Sequence, residues 1–396
     1  MAPPAVVGFS DLPTEALDEI ARRSGPLDNV LCSAVCRSWR RALRTARLGR
    51  LQEPNSPHSI FLHTEAREVV LEVSSIHRRD YYEDPPSGRV RLRTVVDGKI
   101  ANYPSIKIIG ASYGWIVAVY KHDDGSVIYL LDPFTGRRFP LPRFTDLSRS
   151  WRQEEELRTG LLFKHRGMFH KAALAPGRRL GTYAVMLIHS DGRGLSFLRP
   201  GDRSWRTVRS ARAMPHRYFD VVFHKGAFCT LSCFGEVNAW APDGGGGLRT
   251  RRLTDQRPEQ LEWAVLAESA SRHDLLMVST MDRPPCSKRR QHFEVSRCDE
   301  RQRRWLPVKD IGETAILAGS QCSLCLSTRG SPRLAGSSNH IYFASDCATS
   351  NMKCDYGNPD YYRLPIAAES LAGREISGWT WFLPYVARLD YGASPS

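Results

Sequence analysis

The sequence predicts a small all-α module at the N-terminus followed by a large all-β domain. Three observations carry this. Between residues 9 and 48, apolar residues recur three and four apart, the spacing of one helical face. From about residue 60, short runs rich in Val, Ile, Phe, Tyr and Trp alternate with turn signals. Within that second part, one strand–turn–strand pattern returns several times.

The first helix is set by Leu12, Leu17, Ile20 and Ala21, which fall on one face. Pro13 suits the opening turn, where its missing N–H costs nothing, and Ser10 or Asp11 can cap it. Next, Leu31, Val35, Trp39 and Leu43 stand four apart and draw one stripe along a helix or two abutting helices. A piece of about 40 residues cannot bury both faces of such helices by itself. Its apolar surface is therefore expected to dock on something else.

Leu-Pro-x-Glu at Leu12, Pro13 and Glu15, with Val-Cys-Arg-x-Trp at 35–39, resembles an F-box over residues 9–50. Phe9 stands where many F-boxes carry Trp. The resemblance implies docking on a Skp-type adaptor and, through it, a cullin–RING ubiquitin ligase. The docking residues it implies are Phe9, Leu12, Pro13, Leu17, Ile20, Leu31, Val35, Cys36 and Trp39. On the residues alone, an ordinary amphipathic hairpin packed on the rest of the chain is the alternative. Residues 51–59, with Pro54-Asn55-Ser56-Pro57, read as a linker.

Beyond the linker, Asp124-Gly125, Asp191-Gly192 and Lys225-Gly226 sit between apolar runs as hairpin turns. Around the first, Trp115, Val117 and Val119 alternate before the turn, and Val127, Tyr129 and Leu131 after it, so a half-buried hairpin is expected. The stretches 128–141, 195–208 and 293–308 resemble one another. Each is a strand, a polar turn, and an aromatic residue (Phe139, Trp205, Trp305) opening another short strand, and a degenerate copy runs from Val237 through Gly244 to Gly247. Such copies suggest radially repeated sheets. At about 50 residues per kelch-like blade, the length fits a β-propeller of about six or seven blades, with a β-sandwich pair as the competing layout.

These residues are similar to the KIB-type domain found beside F-boxes in land plants. The matching pieces are 113–115, 131–142, 205–208, 341–343 and 379–384, of which Asp-Pro-Phe-Thr-Gly at 132–136 is the most specific. The resemblance places a KIB-type propeller over residues 60–390 as a substrate-binding domain.

The chain has 396 residues, 41% of them hydrophobic, and 56 Lys and Arg against 42 Asp and Glu, a formal net charge of +14. That surplus favours acidic partners without choosing among them. Arg37, Arg40, Arg41, Arg44, Arg47 and Arg50 would form a cationic face on the helical module, suited to an acidic adaptor. The runs 288–290 and 301–304 read as exposed turns, nuclear-import signals or phosphate contacts. No apolar stretch reaches membrane-spanning length, and the first residues lack the pattern of a signal peptide. Location in the cytoplasm or nucleus follows, with the ten cysteines as thiols.

The pair Cys322 and Cys325 lacks the second pair or histidines that a structural zinc needs, so no metal or other cofactor is expected. No nucleophile elbow, phosphate loop or His-Glu-x-x-His is present. The expected role is a non-catalytic receptor that holds an unknown protein substrate. Its rivals are a basic nucleic-acid-binding protein, disfavoured by the scattered arginines, and a propeller enzyme.

Overall fold

The computed structural model describes residues 12–23, 32 and 36–39 and, between 58 and 382, the strands and many of their joining turns; strands within 58–94 and 351–382 are described by their backbone. Helix α1 spans Thr14–Arg23. It starts where the sequence places its first turn: the Leu17 N–H donates to the Pro13 carbonyl at 3.1 Å, and Glu15 lies in the first turn, favoured by the helix dipole. Cys32 and residues 37–39 are helical as well.

Among the described residues, everything after the helical module is strand and turn. β1 (His58–Glu65), β2 (Glu68–Ser75) and β3 (Val90–Thr94) lie side by side. β4 (Ile106–Ser112), β5 (Trp115–His122), β6 (Gly125–Leu131) and β7 (Arg138–Pro140) form the next sheet. β8 (Phe169–Pro176), β9 (Tyr183–His189), β10 (Gly194–Leu198) and β11 (Arg206–Thr207) form a third. Then follow β12 (Tyr218–His224), β13 (Ala227–Ser232), β14 (Val237–Pro242) and β15 (Leu248–Thr254). β16 (Trp263–Glu268), β17 (Leu275–Thr280), β18 (Glu294–Asp299) and β19 (Arg304–Val308) make another four-stranded sheet.

The next sheet has five strands in the order β21 (Leu324–Ser327), β20 (Thr314–Gly319), β22 (His340–Ala344), β23 (Asn351–Asp355) and β24 (Asn358–Leu364), with β20 and β22 parallel. Finally β25 (Ile376–Phe382) returns to pair antiparallel with β1. The first strands of successive sheets touch in chain order, β4 with β8, β8 with β12, β12 with β16 and β16 with β20, and β25 meets both β4 and β20. This closed circuit of sheets, antiparallel but for the β20–β22 pair, is a β-propeller, and the closure leaves no open end of the ring.

Length alone suggested six or seven kelch-like blades. Among the described residues there are five blades made of consecutive strands, between 106 and 364, and one further sheet that joins the ends of the domain. Chain usage is uneven, because one blade spends five strands and the other four spend four each.

Alternation of side chains explains why the sheets stack. In β8, Ala172 and Leu174 face the layer shared with β4–β7, while Ala173 and Ala175 face the layer shared with β12–β15. In β17, Leu275 and Met277 face β12–β15, while Leu276 and Val278 face β20–β24. Each of these two strands thus serves two apolar layers, one per face, and reads as a continuous apolar run rather than an alternating one. At Gly110 an added Cβ would collide with the Ala172 carbonyl oxygen, so glycine is what lets β4 approach β8.

The same logic corrects the expected half-buried hairpin. Trp115, Val117 and Val119 face one layer, but Ile116 and Ala118 are buried on the other face. Across the turn the residues in that layer are Ile128 and Leu130, paired with Val119 and Val117, rather than Val127, Tyr129 and Leu131. Both faces are covered because the sheet stands between neighbours.

The four copies of the internal repeat fall on equivalent places. They are the third and fourth strands of four blades: β6–β7, β10–β11, β14–β15 and β18–β19. Lys225 and Gly226 form the β12–β13 turn with φ of 46° and 80°, the left-handed pair of a tight hairpin.

Candidate functional site

The helical module builds a small core of its own. Leu17 and Trp39 are 2% and 7% exposed and share one apolar cluster, with Leu12, Ile20, Cys32 and Cys36 packed around them. Leu17 and Trp39 therefore hold the module together, while Leu12, Ile20 and Cys36 are half-buried and Pro13 is exposed. Phe9, Leu31 and Val35 lie outside the described residues. Of the expected cationic face, Arg37 is exposed and the other five arginines lie outside the described residues.

A second place of convergence is the inner edge of the ring, where polar side chains run from one first strand to the next. Lys107 on β4 donates its Nζ hydrogen to the Phe169 carbonyl on β8 at 3.0 Å. The His170 Nε2 on β8 lies 3.0 Å from the Phe219 carbonyl on β12. Asp220 on β12 accepts through Oδ2 from the Leu266 N–H on β16 at 2.7 Å and through Oδ1 from the Val221 N–H at 2.6 Å. Lys171 on β8 makes a fully buried ion pair with Asp220. These bonds occupy the backbone edge that the innermost strands would otherwise leave unpaired.

Local sequence irregularity aims these groups. The strand pairing slips by one residue at Ile109 in β4, at His170 in β8 and at Phe219 in β12. Such bulges turn side chains that regular alternation would send elsewhere. Burial pushes the Asp220 carboxyl above its ordinary range, against the pull of Lys171. The His170 imidazole is pushed down to about 4, by burial first, with the Phe219 carbonyl opposing and Lys107, Lys171 and Arg217 assisting.

The histidines and cysteines separate in the same way. His189 is buried between the Ser190 hydroxyl (2.8 Å) and the Ser196 hydroxyl (3.0 Å), and burial lowers it to about 4. Burial pushes the thiols of Cys229, Cys298 and Cys322 up to about 12, the opposite of what an activated nucleophile needs. Among the described residues no group of three or more His, Cys, Asp or Glu could hold a metal ion, and no helix is long and apolar enough to cross a membrane. The glycine loop after β14 is closed by Asp243, whose Oδ1 accepts the Gly247 N–H at 2.8 Å.

Sequence reasoning missed the inner-edge set. Lys107, the adjacent His170 and Lys171, and Asp220 lie far apart within apolar runs, and only the bulges bring them to one place. Lys171 and Asp220 did carry a signal, since a charge inside a buried strand demands a partner.

Two family models match the chain, an F-box domain over residues 9–51 and a KIB1-4 β-propeller over residues 85–363. The chain belongs to the KIB1-4 β-propeller family. The F-box stands ahead of a propeller of the KIB type, as the resemblance implied, and the kelch-like type expected for the blades is not supported. Among curated proteins none matches this KIB1-4 propeller chain.

Solved structures with a likeness to it include YCF48 from Cyanidioschyzon merolae, at 12% identity and a TM-score of 0.36 over 73% of this chain and 77% of that one. YCF48 bound to D1 peptide follows at 10% identity and a TM-score of 0.35, covering 79% and 77%. BBS1N in complex with ARL6DN, soaked with lead, gives 10% identity and a TM-score of 0.33, covering 78% of each. At these scores the likenesses carry no argument.

Proposed function

We propose that this chain is the substrate-recognition subunit of a Skp–cullin–F-box ubiquitin ligase. In this reading the F-box docks on a Skp-type adaptor, and the propeller holds a protein substrate while other subunits transfer ubiquitin. The observation that carries it is the pairing, in one chain, of an F-box at 9–51 with a KIB1-4 propeller at 85–363. The chemical contribution is proximity, since holding an acceptor lysine near the charged conjugating enzyme raises its effective concentration. The chain itself is read as non-catalytic, working in the cytoplasm or nucleus.

Burial divides the docking residues into two groups. Leu17 and Trp39 shape the module from inside, whereas Leu12, Pro13, Ile20 and Cys36 keep surface to offer an adaptor. Phe9, Leu31 and Val35 complete the proposed face on the strength of the F-box match. Co-purification of the full chain with a Skp-type adaptor and cullin tests the reading. Retention of both on the full chain and their loss from a chain lacking residues 1–50 supports it, and equal recovery from both overturns it.

A further inference from the structure

On the outside of the ring, β15 and the corner between β18 and β19 form a cationic ridge. β15 is the outermost strand of its sheet, and the corner lies against its end: the Asp255 N–H donates to the Arg303 carbonyl at 2.8 Å. Arg249 and Arg251 pair with Ala241 and Ala239, so both project from the face that Ala239 turns toward the next blade. The corner itself carries Arg301, Arg303 and Arg304, and all three are exposed, as is Arg249.

The acids nearby do not balance these charges. Glu300 is shared between Arg251 at 2.8 Å and Lys225 at 3.7 Å. The Asp299 Oδ1 is spent on the backbone, accepting the Arg301 and Gln302 N–H groups at 3.0 Å each. Among the described residues, Arg249, Arg301, Arg303 and Arg304 make no side-chain ion pair. The corner is also held at a cost, because Arg303 has a φ of 51°, a conformation that strains any residue but glycine by about 1 kcal/mol.

We propose that this ridge docks an acidic, extended segment of the protein that the receptor presents for ubiquitination; the proposal rests on the receptor reading above. Among the described strands β15 pairs only with β14, so its outer edge offers backbone groups to an added strand, and the arginines on either side supply the charge complement. A single-stranded nucleic acid would call for exposed aromatic rings to stack on. The ridge has none among its described residues, since the Trp305 indole is tied to Gly235 across the blade junction.

The test uses the full chain and a fluorescein-labelled decaglutamate peptide, followed by anisotropy at low salt. R301E/R304E is expected to weaken binding by about tenfold or more, and R301K/R304K by no more than about threefold. The charge-matched control R143E/R203E, on two other blades, is expected to leave binding unchanged. Equal weakening by the control, or no weakening by R301E/R304E, overturns the proposal. Tighter binding of an oligouridylate of the same charge, lost in R301E/R304E, overturns it in favour of nucleic acid. Adaptor co-purification from the same preparations reports on the receptor reading separately, since the ridge variants leave the F-box untouched.

Discussion

The Trp305 indole N–H donates to the Gly235 carbonyl at 2.7 Å, so the strand that opens with this ring is pinned to the neighbouring blade. Trp205, at the equivalent place two blades earlier, does the same to the Pro142 carbonyl at 2.8 Å. The repeat visible in the sequence is thus a blade-to-blade tie as well as a strand pair. Trp305→Phe should keep most of the packing and lose the bond, lowering stability by about 1 kcal/mol. Trp305→Ala should lose both, roughly 3 kcal/mol. Chemical denaturation of the two variants checks the difference; equal losses would mean that the bond contributes nothing.

The third aromatic of the repeat behaves otherwise. Phe139 is 51% exposed and meets only the edge of Trp115 among the described rings, at 5.4 Å between centroids. Phenylalanine has no N–H to reach the previous blade, so the tie cannot form there. Phe139→Ala should therefore cost about 1 kcal/mol or less, well below Trp305→Ala, as thermal unfolding would show.

The Lys171–Asp220 pair spans two blades with both partners buried. Removing one partner strands the other in an apolar setting, so Lys171→Met or Asp220→Asn should destabilise by about 3–5 kcal/mol. The double variant should cost less than the sum of the singles. A double-mutant cycle in denaturant measures this, and simple additivity would show the two groups to be uncoupled.

Two histidines give the pH dependence its sign. His170 and His189 have folded values near 4 against 6.5 when unfolded, both lowered chiefly by burial. The unfolded chain takes up protons as pH falls below about 6.5, while the folded chain resists until about 4, so stability is full above that window and is lost within it. His189→Gln should flatten the loss, with melting temperatures across pH 4 to 7 as the readout. An unchanged profile would place the protonation elsewhere.

Much of the fold was legible before the structure, and the reasons are local. Period-four apolar residues in 12–39 and the aromatic-opened strand pairs at 139, 205 and 305 are short-range patterns that survive in one dimension. The faces of β5 and β6 were not legible, because a strand buried on both sides offers no polar alternation to set its register. Nor was the inner-edge set, which depends on bulges at Ile109, His170 and Phe219. In the helical module the residue types were readable but their division was not, since only packing shows that Leu17 and Trp39 face inward while Pro13 faces out.

Closure of the ring rests on the last strand lying beside the first. β25 pairs with β1 from Phe382 opposite His58 to Ile376 opposite His63. A chain ending before residue 376 should unfold at markedly lower temperature, although its F-box is intact. If the truncated chain melts like the full one, the terminal sheet is not what closes the domain.

The most direct measurement is affinity between the full chain and a Skp-type adaptor, with Pro13→Asp as the surface variant, because Pro13 is the exposed member of the proposed face among the described residues. Anchors at the centre of an interface cost about 2 kcal/mol or more when lost, so binding should weaken by at least about thirtyfold while the propeller melts unchanged. Leu17→Ala should instead loosen the module's own core and lower helicity before it touches affinity. No adaptor binding by the unaltered chain, or equal binding by the surface variant, would contradict the receptor role.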